Sequence, residues 1–433
     1  MKPLAALTGL LALAEAAATP AAERKVSYDG YKVVRLAVGD QAARLNGIVA
    51  DLGLSTWKGA AKPGGLADVV VPPDRVGEFE ALTADLDATT MHDDLGASMA
   101  DEGVFRNYAG LSPPSAPAPQ AADLPAAGSA NLSWWDSYHP YADHLQWLGD
   151  LQAAYPDNSR LVVSGTSLEG RDITGIHIYG DDGGGEKKAV VFHGTVHARE
   201  WISTMVTEYL AYQLLSGSHG FADRYDFYIF PVVNPDGFVF TQTTDRLWRK
   251  NRQTNSGTSC VGRDINRNYP FQWNSTGGSS REPCAQDYRG VQQADAPETE
   301  VLTRHLRRVS DRQGLKLFVD FHSYGQYFMA PYGYNCERKL RNAKDILNLG
   351  AGAVKAMNAA FGSNFQAGSI CNMLYMSTGC SVDFAFDVAR AEYSYTLELR
   401  DQGSSGFVLP PAQILPSGQE TWAGIKYAIS HMK

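Results

Sequence analysis

The distribution of apolar and polar positions divides this chain into two patterned stretches with an unpatterned one between them. Residues 31–38 alternate like a half-buried strand, 41–52 carry helical spacing at Leu45, Ile48, Val49 and Leu52, and 67–71 read as a second strand. A helix over 76–86, with Val76, Phe79, Leu82 and Leu86 on one face, completes a small α+β unit of split βαβ type. From residue 131 the pattern lengthens. Predicted strands over 161–163, 173–179, 189–192, 227–233, 315–321 and 393–397 alternate with helices over 141–154, 202–216, 298–312, 345–361 and 420–432. Several strands are apolar throughout, as strands buried on both faces are. The expected fold class is α/β: a mixed central β-sheet flanked by helices, with binding sites at the carboxyl ends of strands.

Residues 111–130 are rich in Pro, Ala and Ser and cannot bury a core, so they read as a linker, either a permanent tether or a segment meant to be cut. Lys2, an apolar run over 4–13 and the small residues after Glu15 read as a secretory signal, too short to span a bilayer. The expected division is a signal over 1–22, a small domain over 23–110, the linker over 111–130 and a large domain over 131–433. The net charge of -9 argues against nonspecific nucleic-acid binding. Without a later apolar run of about 20 residues, no membrane partner is expected, and the mature protein reads as secreted and extracellular. Five cysteines are an odd set for an exported chain, and two bridges with one free thiol is the simplest accounting. Asn131-Leu-Ser133 and Asn274-Ser-Thr276 are glycan acceptor sequences.

The candidate chemistry begins at His197-Ala-Arg-Glu200, just after the apolar run at 189–192. In one helical turn, or in a tight loop entering a helix, residues three apart can aim at one cation, and zinc favours these ligand types. The same pair also suits a solvated helix face. His322 ends another apolar strand and offers a third ligand, or else a satisfied histidine at the sheet margin. An arginine-rich stretch between them includes Arg246, Arg249, Arg263 and Arg267, suited to surface or to anion recognition. Glu398 lies in an otherwise apolar strand, where a carboxylate is costly unless paired or used as an acid or base.

With His197-Ala-Arg-Glu-Trp-Ile202, Arg246-Leu-Trp-Arg-Lys250, Asn266-Arg-Asn268, Pro331-Tyr-Gly-Tyr334 and Glu398-Leu-Arg-Asp401 in that order, the chain from residue 131 resembles the secreted, propeptide-bearing zinc metallocarboxypeptidases of the A/B family. The resemblance implies one zinc ion on His197, Glu200 and His322, with Asp264 accepting a hydrogen bond from the far nitrogen of His197. It makes Glu398 the general base and Arg249 the oxyanion donor, with Asn266, Arg267 and Tyr375 gripping the terminal carboxylate of a peptide. Arg199, Tyr324 and Phe407 fall at outer subsites, and Val382 stands where the family sets specificity, so aliphatic or aromatic C-terminal residues are expected. Asp383 is adjacent but falls outside the pocket floor.

The resemblance also implies bridges Cys260–Cys284 and Cys336–Cys371, which leaves Cys380 unpaired. Three departures are visible. Cys380 stands where many relatives have Gly, Ser377 where they often have Ala, and one extra residue between Tyr375 and Glu398 is expected to bulge near 387–391. The N-terminal unit resembles an inhibitory propeptide, so the implied partners are peptide C-termini, an activating protease and the chain's own propeptide, with a monomer expected. No Lys or Arg lies between Arg106 and Arg160, so cleavage is expected at Arg106 or, in the linker, by a protease that is not trypsin-like. Two other readings remain: a catalytically silent relative that binds C-termini, and a zinc hydrolase of non-peptide acyl groups.

Overall fold

A computed structural model describes residues 25–59, 61–102, 105, 106, 108, 110, 132–217 and 220–433. The expected signal over 1–22 and the linker over 111–130 lie outside the described residues, as does Asn131. In the N-terminal unit, β1 (Lys32–Ala37), α1 (Ala42–Asp51), β2 (Ser55–Thr56), β3 (Leu66–Val71), α2 (Val76–Leu82), β4 (Ala88–His92) and α3 (Leu95–Glu102) follow in order. The strands form an antiparallel sheet in the order β2-β3-β1-β4. Leu36, Val69 and Val71 of the sheet pack with Leu45 and Phe79 of the two helices. Helix α2 stops at Leu82, short of the expected 86: the Thr83 hydroxyl donates back to the Phe79 carbonyl at 2.8 Å, and a turn follows to Leu86.

The large unit runs α4 (Tyr141–Ala154), β5 (Ser159–Thr166), β6 (Asp172–Ile178), β7 (Ala189–Gly194), α5 (Trp201–Ser216), β8 (Asp226–Phe230), α6 (Pro235–Thr243), α7 (Pro297–Gln313), β9 (Leu315–His322), β10 (Tyr327–Ala330), α8 (Ala343–Phe361), β11 (Gln366–Ser369), α9 (Ile370–Met373), α10 (Ser381–Asp387), β12 (Tyr393–Glu398) and α11 (Ile414–His431). Its strands form one mixed sheet, β11-β10-β12-β9-β7-β8-β6-β5. Side chains alternate across it. Val190, Phe192, Val319 and Phe321 meet α5 and α11 on one face, while Val191 and Phe318 meet α7 and α10 on the other. The central strands are buried on both faces, so apolar side chains occupy both of them.

Strand β8 ends at Phe230 because Pro231 cannot donate to the ladder. Helix α11 starts six residues before the expected 420. Pro416 sits in its first turn, where the missing N–H is not needed, and Gly418 abuts the Tyr209 ring, where an added Cβ would come within 2.7 Å. The short strands β2, β4, β10 and β11 are not among the expected ones. They have no apolar alternation long enough to read, and neighbouring strands hold them.

Candidate active site

Strands β7, β9 and β12 are parallel and belong to one run of the sheet, so their carboxyl ends open on one side. His322 is the last residue of β9 and Glu398 the last of β12, paired in register. His197 and Glu200 lie in the loop leaving β7, and α5 begins only at Trp201. The loop is held by its own polar groups. Thr195 has φ 55°, its N–H donates to Ser203 Oγ at 2.9 Å, and Ser203 Oγ donates to the Glu200 carbonyl at 2.7 Å.

His197 Nδ1 is 2.8 Å from Glu200 Oε1, and His322 Nδ1 is 3.1 Å from both His197 Nδ1 and Glu200 Oε2. The outer nitrogens face carboxylates: His197 Nε2 is 3.1 Å from Asp264 Oδ1, and His322 Nε2 is 3.2 Å from Asp320 Oδ2. With the ring protons on those outer nitrogens, two imidazole lone pairs and a carboxylate converge without a donor between them. A cation resolves that clash. Tetrahedral zinc, with ligands at about 2.0–2.1 Å, sets them roughly 3.3 Å apart, close to the spacing here, and two imidazoles with one carboxylate are a zinc donor set. Among the described residues, His197, Glu200 and His322 form the group able to hold a metal ion.

The profile of the family described as zinc carboxypeptidase matches residues 144–424, and that of the carboxypeptidase activation peptide matches 34–102. The chain belongs to the zinc carboxypeptidase family. It is 45% identical to a metallocarboxypeptidase A-like protein of Trichophyton verrucosum over the full length of both, and 43% identical to metallocarboxypeptidase A of Trichophyton rubrum over 96% of each. Among solved structures, carboxypeptidase A from Helicoverpa armigera superposes with a TM-score of 0.77 at 28% identity, covering 94% of this chain and 98% of that one. Thrombin-activatable fibrinolysis inhibitor shares the fold, with a TM-score of 0.79 at 24% identity over 93% of this chain and 98% of that one.

Around the zinc carboxypeptidase site, Arg249 donates to Asp264 Oδ2 from Nη2 at 2.8 Å and stands 3.8 Å from Glu200. Burial alone would raise Asp264, but Arg249 and His197 hold its carboxyl well below the usual range. Burial raises the Glu398 carboxyl to about 7; His322 pulls it down and Glu200 pushes it up. Asn266 and Arg267 form a short turn capped by Asp264, and Arg267 Nε has no partner among the described residues. Tyr375 is half-buried with its ring 5.9 Å from the Arg267 guanidinium. The cleft is a cavity of about 900 Å³ lined by Met329, Ile370, Leu374, Cys380 and Thr396 besides the metal group. Val382 packs behind that wall with Met329, Ile370 and Cys380 and does not itself line the cavity. The Asp383 carboxylate is turned away, accepting from the Gly333 and Tyr334 N–H groups at 3.0 and 3.2 Å. The bridges Cys260–Cys284 and Cys336–Cys371 are formed, and Cys380 is free and buried. After α10 the chain turns through Arg390 at φ 58°, within the segment where the extra residue was expected to bulge.

The activation unit covers this cleft. Trp57, Lys58 and Lys62 line the same cavity. Arg199 donates to the Trp57 carbonyl at 2.6 Å, Trp57 packs 5.2 Å from Phe407, and the Tyr324 hydroxyl donates to Asp68, which Arg35 also binds at 2.6 Å. Lys62 lies 3.9 Å over the Tyr375 ring. At the edge, Glu102 takes both arms of Arg246, at 2.8 and 2.9 Å. The expected site residues included none of the activation unit's own, Asp68 and Glu102 among them, nor the carboxylate Asp320. Asp68 and Asp320 interrupt apolar strands, the signal that singled out Glu398, whereas Glu102 follows Asp101 and carries no such signal.

Proposed function

We propose that the protein is made as a secreted zymogen whose catalytic unit hydrolyses the last peptide bond of its substrates and prefers aliphatic or aromatic C-terminal residues. The observation that carries this reading is the convergence of His197, Glu200, His322 and Glu398 beside the Arg267 guanidinium in one cleft. Zinc held by the first three supplies Lewis-acid chemistry, acidifying water and polarising a carbonyl. Glu398 accepts a proton from the attacking water and delivers it to the leaving amine, so the products are a shortened carboxylate and a free amino acid. Arg249 faces the carbonyl oxygen as negative charge gathers on it. Asn266 and Arg267 bind the terminal carboxylate, Tyr375 closes over it, and Arg199, Tyr324 and Phe407 contact residues upstream of the bond.

The preference follows from the apolar wall of Met329, Ile370 and Leu374 with Val382 behind it, and from the Asp383 carboxylate pointing elsewhere. An ammonium there would lose its water and gain no counter-charge. Two disulfides and the apolar N-terminal run support export, and no helix among the described residues is long and apolar enough to cross a membrane. Cutting at Arg106 or within 111–130 would free the unit that begins at 131 from its inhibitor.

Blocked dipeptides ending in Phe, Leu, Arg or Glu, offered to the processed protein with and without chelator, test the reading. Release of Phe or Leu that vanishes with chelator is expected. Preferential release of Arg would overturn the pocket assignment, and no release at all would overturn the activity.

A further inference from the structure

We propose that Asp320 is a positioning residue for the metal site: its carboxylate receives the outer N–H of His322 and so holds that ring as a neutral ligand with its Nδ1 lone pair turned inward. The proposal rests on the reading of His322 as a zinc ligand. Asp320 and His322 are two apart on β9 and share one face of it. Both are almost fully buried, at 1% and 2% exposure, and Asp320 Oδ2 lies 3.2 Å from His322 Nε2.

The surroundings leave little choice of acceptor for that N–H. The other polar atom beside His322 Nε2 is Asn266 Nδ2 at 3.2 Å, which is itself a donor. The Asn266 amide is kept from turning over because its Oδ1 accepts from Ser381 N at 2.8 Å. Ser381 also donates its hydroxyl to Asp320 Oδ2, which fixes the carboxylate from α10. A hydroxyl alone is a poor match for a fully buried carboxylate. His193, opposite Asp320 in the β7–β9 register, is pushed down to about 4 by burial and stays uncharged. The group through which Asp320 finds positive charge is therefore His322, as it shares its lone pair with a cation. Asp264 stands in the same relation to His197, at 3.1 Å. The two imidazoles are thus backed from separate elements, and both keep the proton on the outer nitrogen.

Outer partners of metal-bound histidines typically change metal affinity by about 10–100-fold. The experiment is a zinc competition titration against a chromophoric chelator, on the full chain stripped of metal, for wild type, Asp320→Asn, Asp320→Ala and His322→Ala. The visible spectrum of the cobalt-loaded proteins and thermal unfolding of the metal-free ones accompany it. Both Asp320 variants are expected to bind zinc about 10–100-fold more weakly with an altered cobalt spectrum, while metal-free Asp320→Asn unfolds near wild type. Unchanged affinity and spectrum in both, with zinc lost in His322→Ala, would overturn the role of Asp320 and leave the ligand set standing. Undiminished affinity in His322→Ala would overturn the ligand assignment and the proposal with it. Should neither Asp320 variant fold, Ser381→Ala carries the test: weaker zinc binding supports the proposal and unchanged binding overturns it.

Discussion

Glu398 shows what a single side chain gains from its place. On a solvated strand end it would titrate as an ordinary glutamate; at the end of β12, facing an enclosed cleft, loss of bulk water raises it toward 7. A general base works only when ionised, so a raised pKa keeps a larger share of the enzyme protonated and idle at a given acid pH. The activation unit supplies part of that burial, so the acid limb of kcat/KM in the processed enzyme is expected between the usual glutamate value of 4.5 and about 7, with activity lost as pH falls through it. Glu398→Gln is expected to remove at least about 10² in kcat with zinc content unchanged. A pH profile flat down to the ordinary glutamate range would contradict the assignment. That a carboxylate in an apolar strand must be paired or used was legible in the sequence for Glu398. The same sign stands at Asp320, but nothing in the order of residues says that its partner is the histidine two places on.

Between the residues and the whole, the decisive element is the run β7-β9-β12, whose parallel order brings the loop after β7, His322 and Glu398 to one edge. The apolar runs of all three strands can be read from the sequence, because strands buried on both faces leave no other pattern. Their adjacency cannot, since any of the six predicted strands could neighbour any other. The segment leading into α10 forms part of the cleft wall. Cys380 has an extended backbone, φ -92° and ψ 154°, and its Sγ would lie 3.1 Å from a Cβ placed on Gly333. Thus the thiol takes up space that a glycine would leave open. Cys380→Gly is expected to raise kcat/KM for substrates ending in Phe relative to those ending in Leu, by up to about 10-fold, as contacts worth one methylene do. Steady-state comparison of the two dipeptides reads this directly, and an unchanged ratio would place Cys380 outside the wall of the substrate pocket.

At the scale of the whole molecule, inhibition rests on a mixed contact: Trp57 among Tyr324, Leu247 and Phe407, with the buried pair Glu102–Arg246 at its edge and Asp68 between Arg35 and Tyr324. Removing one partner of a buried pair costs about 3–5 kcal/mol. Glu102→Ala combined with Asp68→Ala is expected to give the uncut zymogen measurable activity on a small dipeptide, while kcat/KM of the processed enzyme stays at the wild-type value because neither residue remains in it. A silent uncut variant would show that the cover does not depend on these pairs. Two patterned units, the central strands and, through ordered motifs, the group His197, Glu200 and His322 with Glu398 and the arginines near it are legible along the chain. Those features are carried by local periodicity and by residues whose chemistry is rare in apolar surroundings. Strand order, the pairing of Asp320 with His322 and the docking of Trp57 over the cleft came from the folded molecule alone. Strand order and the Trp57 contact depend on segments far apart in the chain, and Asp320 and His322 are turned toward one another by Ser381 and Asn266 from elsewhere in the fold; local pattern does not encode which distant surfaces will meet.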